Sequence, residues 1–341
     1  ESSPRLSRYF GKFDEWSNFA KSTFDALNQL QTQKGIEGFF MQITPIPMGW
    51  CLASKSATDV ICAVTVKNLS VHINNSGGLF VEPPESKSVR DVLDGMKIVC
   101  AALAVFYGIS RFPVSIKMLS IGKMVGNHCA HHREIDEEYV HWAGVATVEV
   151  YRSLCSLDVG FMQHTVEGPG QASPDFSHLQ ENVASLLDLN VGCVDVALLS
   201  SIWSNSEIGR GEEVIVSASV FCEQVVNYQW KNSVLKHCTN KRKDRLRNGY
   251  TYSMKLEYLN QKREISDKMF ESLDTLRRLR NIVAHGSQDP EYKNDVLCNW
   301  YKKSLNAITE ALRFLNITNI QFPQSTQHSF MPTMFKKMWI V

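Results

Sequence analysis

LRRLRNIVAHGSQDP, residues 276–290, sets Arg280 beside Asn281, puts His285 four positions further on and follows it at once with Gly286. Around it, Met269, Leu273, Leu276, Leu279 and Val283 recur at steps of three and four. That period marks a helix with one core stripe. Asp274, Arg277, Asn281 and His285 follow each other at spacings of three, four and four, so they stack along a second, polar line. The long side chain of Arg280 can swing toward the same surface. Gly286 suits the position just past a helix, and Pro290 prevents continuation. An ordinary helix terminus accounts for each residue singly, because cations in a last turn complement the helix dipole. The alignment of a guanidinium, an amide and an imidazole at one helix end is what raises a second reading, an active site.

Working outward, the segment sits among other helix-like stretches. Periodicity predicts helices over 192–204, 211–235, 254–284 and 291–316, joined as an antiparallel bundle. Between the second and third lies a stretch read as a long polar loop. EGPGQASPD, 167–175, combines two prolines, two glycines and small residues, and reads as a linker. Before it the pattern is mixed. A helix is expected over 14–33, with Trp16, Phe19, Phe24, Leu27 and Leu30 on one face. Strands are expected over 36–43, 50–54, 59–66, 113–121 and 144–151, with a helix over 88–108. The expected class is therefore α+β: a mixed α/β recognition or regulatory domain, 1–175, followed by an all-α bundle, 176–341.

Bulk properties fit a globular chain. The 341 residues are 44% apolar and 21% charged, with net charge +1. A balance so near zero points to no partner, so any nucleic-acid surface must come from local segregation of charge. IVCAALAVFYGI, 98–109, is too short to span a bilayer and reads as a buried helix. Nine cysteines are scattered without a CxxC pair, which reads as free thiols in a reducing cytosol. No GxGxxG, GxxxxGK[ST] or GxSxG occurs, so neither a phosphate cradle nor a nucleophile elbow is supported.

One strip does segregate charge. Residues 236–263 hold nine Lys and Arg against Asp244 and Glu257. Lys241, Arg242, Lys243, Arg245 and Arg247 form its dense part, and Tyr250, Tyr252 and Tyr258 follow. Cations interleaved with aromatic rings suit the backbone and bases of single-stranded RNA. The plainer reading is a solvated loop. NHCAHHRE, 127–134, offers His128, Cys129, His131 and His132, with His128 and His132 able to share a helix face. No matching Cys/His pair lies elsewhere at zinc spacing. A polar loop or helix start is expected there, with no metal and no cofactor. Glu181, Asp188 and Asp195, spaced at seven, are expected to mark an exposed face.

LRNIVAHG resembles the Arg-polar-x-x-x-His signature of the HEPN superfamily, helical bundles that include many metal-independent endoribonucleases of toxin–antitoxin and antiphage systems. The resemblance covers about 190–318. Arg280 matches the motif arginine, Asn281 the polar residue and His285 the histidine; Glu223, in SVFCEQVVN, matches a supporting glutamate of an early helix. An α/β front half ahead of such a bundle also resembles ApeA-type antiphage proteins. The resemblance implies RNA as substrate, a 2′,3′-cyclic phosphate product and a homodimer that pools two motifs, with an inhibitory or sensing partner at the front domain. The residue types agree with that chemistry. Histidine moves protons near neutral pH, and arginine matches the oxygens of a charged phosphorane. Arg277 and the 241–247 strip are expected to hold the strand. A non-catalytic bundle of the same type, binding nucleic acid or protein, is the alternative.

Overall fold

The computed structural model describes residues 21–42 (without 23), 56–82 (without 57 and 76), 89–108, 119–133, 175–207 (without 192 and 193), 210–285 and 299–321. The strands expected over 50–54 and 144–151 lie outside these residues, as does nearly all of the 167–175 linker. A mixed α/β front part is followed by a helical rear part. The chain divides into two compact units, residues 1–99 with 114–183 and residues 100–113 with 184–341.

In the first unit, six antiparallel strands form one sheet: β1 (Ile36–Gln42), β2 (Val60–Val66), β3 (Leu69–Asn74), β4 (Gly78–Val81), β5 (Ser120–Val125) and β6 (His128–Arg133). Their order is β2-β3-β4-β1-β5-β6. Tight turns set the register. Lys67 and Asn68, both at positive φ, join β2 to β3, the geometry a two-residue hairpin of primed type needs. Asn74 closes the next turn, its Oδ1 accepting from the Gly78 N–H at 2.6 Å. The sheet curls so that its two edges meet at one corner. The Val60 N–H donates to the Asn127 carbonyl and the Cys129 N–H to the Thr58 carbonyl, each at 2.8 Å. His128 Nδ1 stands 2.9 Å from Asp59 Oδ1 at the same corner. The result is a half-barrel with fewer open edge groups. Gly38 and Gly122 face each other across β1 and β5. A Cβ on either would run into the Phe80 ring, so they make room for the Phe40–Phe80 core.

Helix α1, described over 21–32 (without 23), buries Ala26 and Leu30 but leaves Phe24 and Leu27 exposed. Its inner face is thus narrower than the expected one. Helix α2 (Val89–Tyr107), which the division crosses after Val99, has 98–105 wholly buried. Among the described residues no helix is long and apolar enough to cross a membrane.

Two sequence expectations are corrected in this unit. β6 is a strand, not a loop or helix start: the Gly126-Asn127 turn folds it back on β5. His128 and His132 therefore lie about 13 Å apart along a strand rather than one helical turn apart, and they pair separately, with Asp59 and with Glu37. β3 and β4 fall where no strand was expected.

The second unit is helical: α3 (Leu179–Val191), which the division crosses, then α4 (Ala197–Glu207), α5 (Gly211–Ser233), α6 (Asn240–Gly249), α7 (Tyr252–Gln261), α8 (Asp267–His285) and α9 (Trp300–Phe314). Glu181 and Asp188 are exposed, as expected. Asp195 is exposed too, and it caps α4 by accepting from the Ala197 N–H at 3.0 Å. α5 is central. It packs against α4, α7, α8 and α9, which is why Val214, Ile215, Ala218, Phe221, Cys222, Val225, Val226 and Trp230 are all buried on it. Residues that recur this densely cover more than one face.

The helix expected over 254–284 is broken. Arg263 turns left-handed at φ 58°, and the Glu264 N–H reaches back to the Leu259 carbonyl at 2.9 Å, stopping α7. The Ser266 hydroxyl then accepts from the Met269 N–H at 3.2 Å and starts α8. The expected polar loop is also corrected, since 240–249 is the helix α6.

Candidate active site

α8 carries the motif on a well-anchored helix. Met269, Leu273, Leu276 and Leu279 are buried and Val283 is half-buried, as the period required. α8 lies against α5, α7 and α9. Met269, Leu273, Leu276, Arg280 and Val283 also form a series of alternating steps of four and three. Arg280 thus occupies a core-stripe register, yet it is exposed. Past Leu279 no described residue of that stripe is fully buried, Arg280 being exposed and Val283 half-buried. Asn281 is half-buried, and His285, the last residue of α8, is exposed. Neither Arg280 nor His285 makes a side-chain ion pair or hydrogen bond with a described residue. Gly286 and Pro290 lie outside the described residues.

Helix geometry separates the two groups. Five residues turn about 140° around the axis and rise about 7.5 Å. Asn281 lies between them, about 40° from His285 and about 100° from Arg280. The arginine and the imidazole therefore leave α8 on different sides, and only the long guanidinium stem brings them toward a common ligand.

Arg277 is placed differently from the strand-holding role expected of it. It is half-buried, with Nε 2.8 Å and Nη2 2.7 Å from Asp274 Oδ1. Arg278 takes the other carboxylate oxygen, with Nε and Nη2 each at 2.8 Å. Asp274 is thus shared by two arginines within one turn, and much of the Arg277 fork is already used.

Glu223 joins a polar cluster that spans three helices. It is half-buried on α5. Burial, then the Cys222 thiol and the Glu223 carboxylate, hold the Tyr252 hydroxyl far above its ordinary range; Asp274 adds to this and Arg277 opposes it. Burial pulls the Lys255 ammonium down, while Glu223 works to keep it charged. Lys255 Nζ donates to Asn227 Oδ1 at 2.9 Å. Groups of α5, α7 and α8 therefore converge behind the motif helix. Sequence reasoning singled out Glu223, counted Lys255 only among the cations of the 236–263 strip, and missed Asn227 and the inward role of Tyr252, since only packing brings these helices together.

α6 presents Lys241, Arg242, Arg245 and Arg247 exposed and Lys243 half-buried. None of the five makes an ion pair with a described residue. Leu246 is the only large apolar side chain in this helix, and it is half-buried. Tyr250 and Tyr258 lean on the buried Trp230, at ring separations of 5.0 and 5.4 Å.

Cysteine chemistry has little footing among the described residues. Burial pushes the Cys100 and Cys129 thiols up to about 12 and raises Cys222 and Cys62 as well, so these stay protonated and poorly nucleophilic near neutral pH. Among the described residues no three His, Cys, Asp or Glu side chains gather as a metal site. Compared with family models, curated proteins and solved structures, the chain matches none.

Proposed function

We propose that the helical part is a HEPN-type bundle that cuts RNA without a metal, acting as a cytoplasmic homodimer in toxin–antitoxin or antiphage defence, with the front α/β part sensing or restraining it. The observation that carries this reading is Arg280. Its guanidinium holds a core register yet is exposed, pairs with no described residue and lies near an equally exposed terminal histidine, a combination that the dipole role of a terminal cation does not require. Desolvating such a group without a partner is costly, so a register position that stays open suits a ligand or a second chain.

The reaction needs few parts. A base takes the proton of a ribose 2′-hydroxyl as its oxygen attacks the adjacent phosphorus. The bond from phosphorus to the 5′ oxygen breaks, and an acid returns a proton to that oxygen. The products are a 2′,3′-cyclic phosphate and a 5′-hydroxyl. His285 supplies the proton transfer and Arg280 the fixed charge facing the phosphorane. Asn281 positions one of them or the phosphate by hydrogen bonds. One motif histidine per chain, set far around the helix from its arginine, fits a site in which two chains contribute base and acid. Glu223 supports the motif helix through the cluster behind it.

A second reading, a non-catalytic module binding nucleic acid or protein, is favoured by that same angular separation, because one chain alone does not bring both groups to one phosphate. The deciding experiment uses the purified full chain with single-stranded RNA in EDTA. Cleavage is expected, and His285→Ala should slow it by roughly 10²–10⁴. If neither cleavage nor toxicity on expression depends on His285, the binding module is the correct reading.

A further inference from the structure

Beyond the motif, the outer face of α7 forms an open groove of about 450 Å³, lined by Tyr250, Ser253, Met254, Glu257, Tyr258 and Gln261. Two of its lining rings rest on the buried Trp230, which meets Tyr250 at 38° and Tyr258 edge-on at 77°. Met254 is 48% exposed and gives the groove an apolar side chain open to a ligand. The groove begins where the basic helix ends, since Tyr250 directly follows α6 and lines it. At the other end Lys262 Nζ stands 5.8 Å from the Tyr258 ring centre. The lining contributes one formal charge, Glu257, whose Oε1 accepts from Gln261 Nε2 at 3.3 Å.

From this arrangement we propose that the groove receives one unstacked base of a single-stranded nucleic acid whose backbone follows α6, and that Glu257 selects a base with hydrogen-bond donors on its pairing edge, guanine foremost. Five cations on a helix with almost no apolar face attract a polyanion. The groove itself repels one, because Glu257 is an acceptor with a negative charge. A ligand that satisfies both must keep its phosphates on α6 and place something flat, neutral and rich in donors in the groove. A nucleobase does this: tyrosine and methionine supply contact surface, and guanine alone presents two adjacent N–H donors to one carboxylate. An acidic peptide satisfies α6 but not Glu257. The inference takes its ligand class from the RNA reading above and needs none of the cleavage chemistry.

The test uses the full chain and short 2′-O-methyl oligonucleotides, which lack the attacking hydroxyl and so report binding alone. One probe is all uridine; the other carries a single guanosine. By fluorescence anisotropy the guanosine probe should bind about tenfold more tightly. Glu257→Gln should remove that preference and keep the uridine affinity. Met254→Asp should weaken both probes about tenfold. Both groove substitutions are at exposed positions, and an unchanged thermal midpoint checks their folding. The proposal is overturned by the absence of binding to either probe, by a guanosine preference indifferent to Glu257, by affinity indifferent to Met254→Asp, or by a poly-glutamate peptide binding as tightly as the oligonucleotides. Cleavage that depends on His285 without a preference that depends on Glu257 keeps the nuclease and removes the groove; the reverse pattern removes the nuclease and keeps the groove.

Discussion

α8 and α6 belong to the same helical unit, and both are rich in arginine, but their relation to the core is opposite. α8 inserts Met269, Leu273, Leu276 and Leu279 between its neighbours and carries exposed charge on its other sides, from Asp267 and Lys268 to Arg278 and Arg280. α6 buries none of its described side chains fully and displays charge on every side. A helix that is polar all round gains little from packing, so α6 contributes little to folding and is free to serve a ligand. Charge on α8 is different: each charged side chain shares a helix with residues the fold needs, so its role has to be separated from theirs by substitution.

The largest expected effect attacks the buried side of that contrast. Leu276→Ala should cost about 2–5 kcal/mol of stability, the range for a buried leucine truncated beside rigid neighbours, read as the midpoint of urea unfolding. Any activity lost would follow unfolding. Arg280→Ala, one turn along the same stripe, should do the reverse. Cleavage should fall about 10²–10³-fold, the loss for one positioned electrostatic stabiliser, with the unfolding midpoint unmoved because the side chain is exposed. Should Arg280→Ala destabilise like Leu276→Ala, the arginine is packing rather than chemistry and the contrast between the two ends of the stripe disappears.

The same contrast explains what the sequence disclosed. The α8 stripe was legible because buried residues impose a period, and β1, β2, α2 and α5 were legible for the same reason. The break between α7 and α8 was hidden because Arg263, rather than glycine, takes the left-handed position, and Ser266 was the one cue to a new start. α6 was hidden because a helix without an apolar face leaves no period to find. β6 was hidden by its histidines, although Gly126-Asn127 is a hairpin signal placed directly before it. At the candidate site, the exposed ends of Arg280 and His285 were foreseeable from the terminal position of the motif. The capture of Arg277 by Asp274 was foreseeable only as a possible pair at three residues' spacing. The convergence of Glu223, Tyr252 and Lys255 required three helices to meet, and no local pattern encodes that.

Asp274 tests the middle ground between core and display. Its carboxylate is largely buried and accepts from both Arg277 and Arg278. Asp274→Asn keeps the shape and removes the charge. It should cost about 1–3 kcal/mol, the penalty for stranding a partly buried partner, and it should free Arg277. If released Arg277 can reach a phosphate, RNA affinity rises while stability falls, and the two readouts separate a structural ion pair from a latent ligand contact. If affinity stays fixed, Arg277 belongs to the scaffold.

The smallest effect on folding is expected at α6, and its value lies in being small. Replacing Lys241 and Arg245 together by Gln removes two exposed charges that pair with no described residue, so stability should stay within about 0.5 kcal/mol. RNA affinity should fall alike for every sequence, and the slope of log affinity against log salt should shrink by about 1.4, roughly 0.7 for each lost phosphate contact on a single strand. Sequence preference should not change, because these cations meet phosphates rather than base edges. A double substitution that lowers stability by more than about 1 kcal/mol would mean that α6 is held by its charges after all. The division between a helix that builds the fold and a helix that serves a ligand would then fail on the side where it is simplest to test.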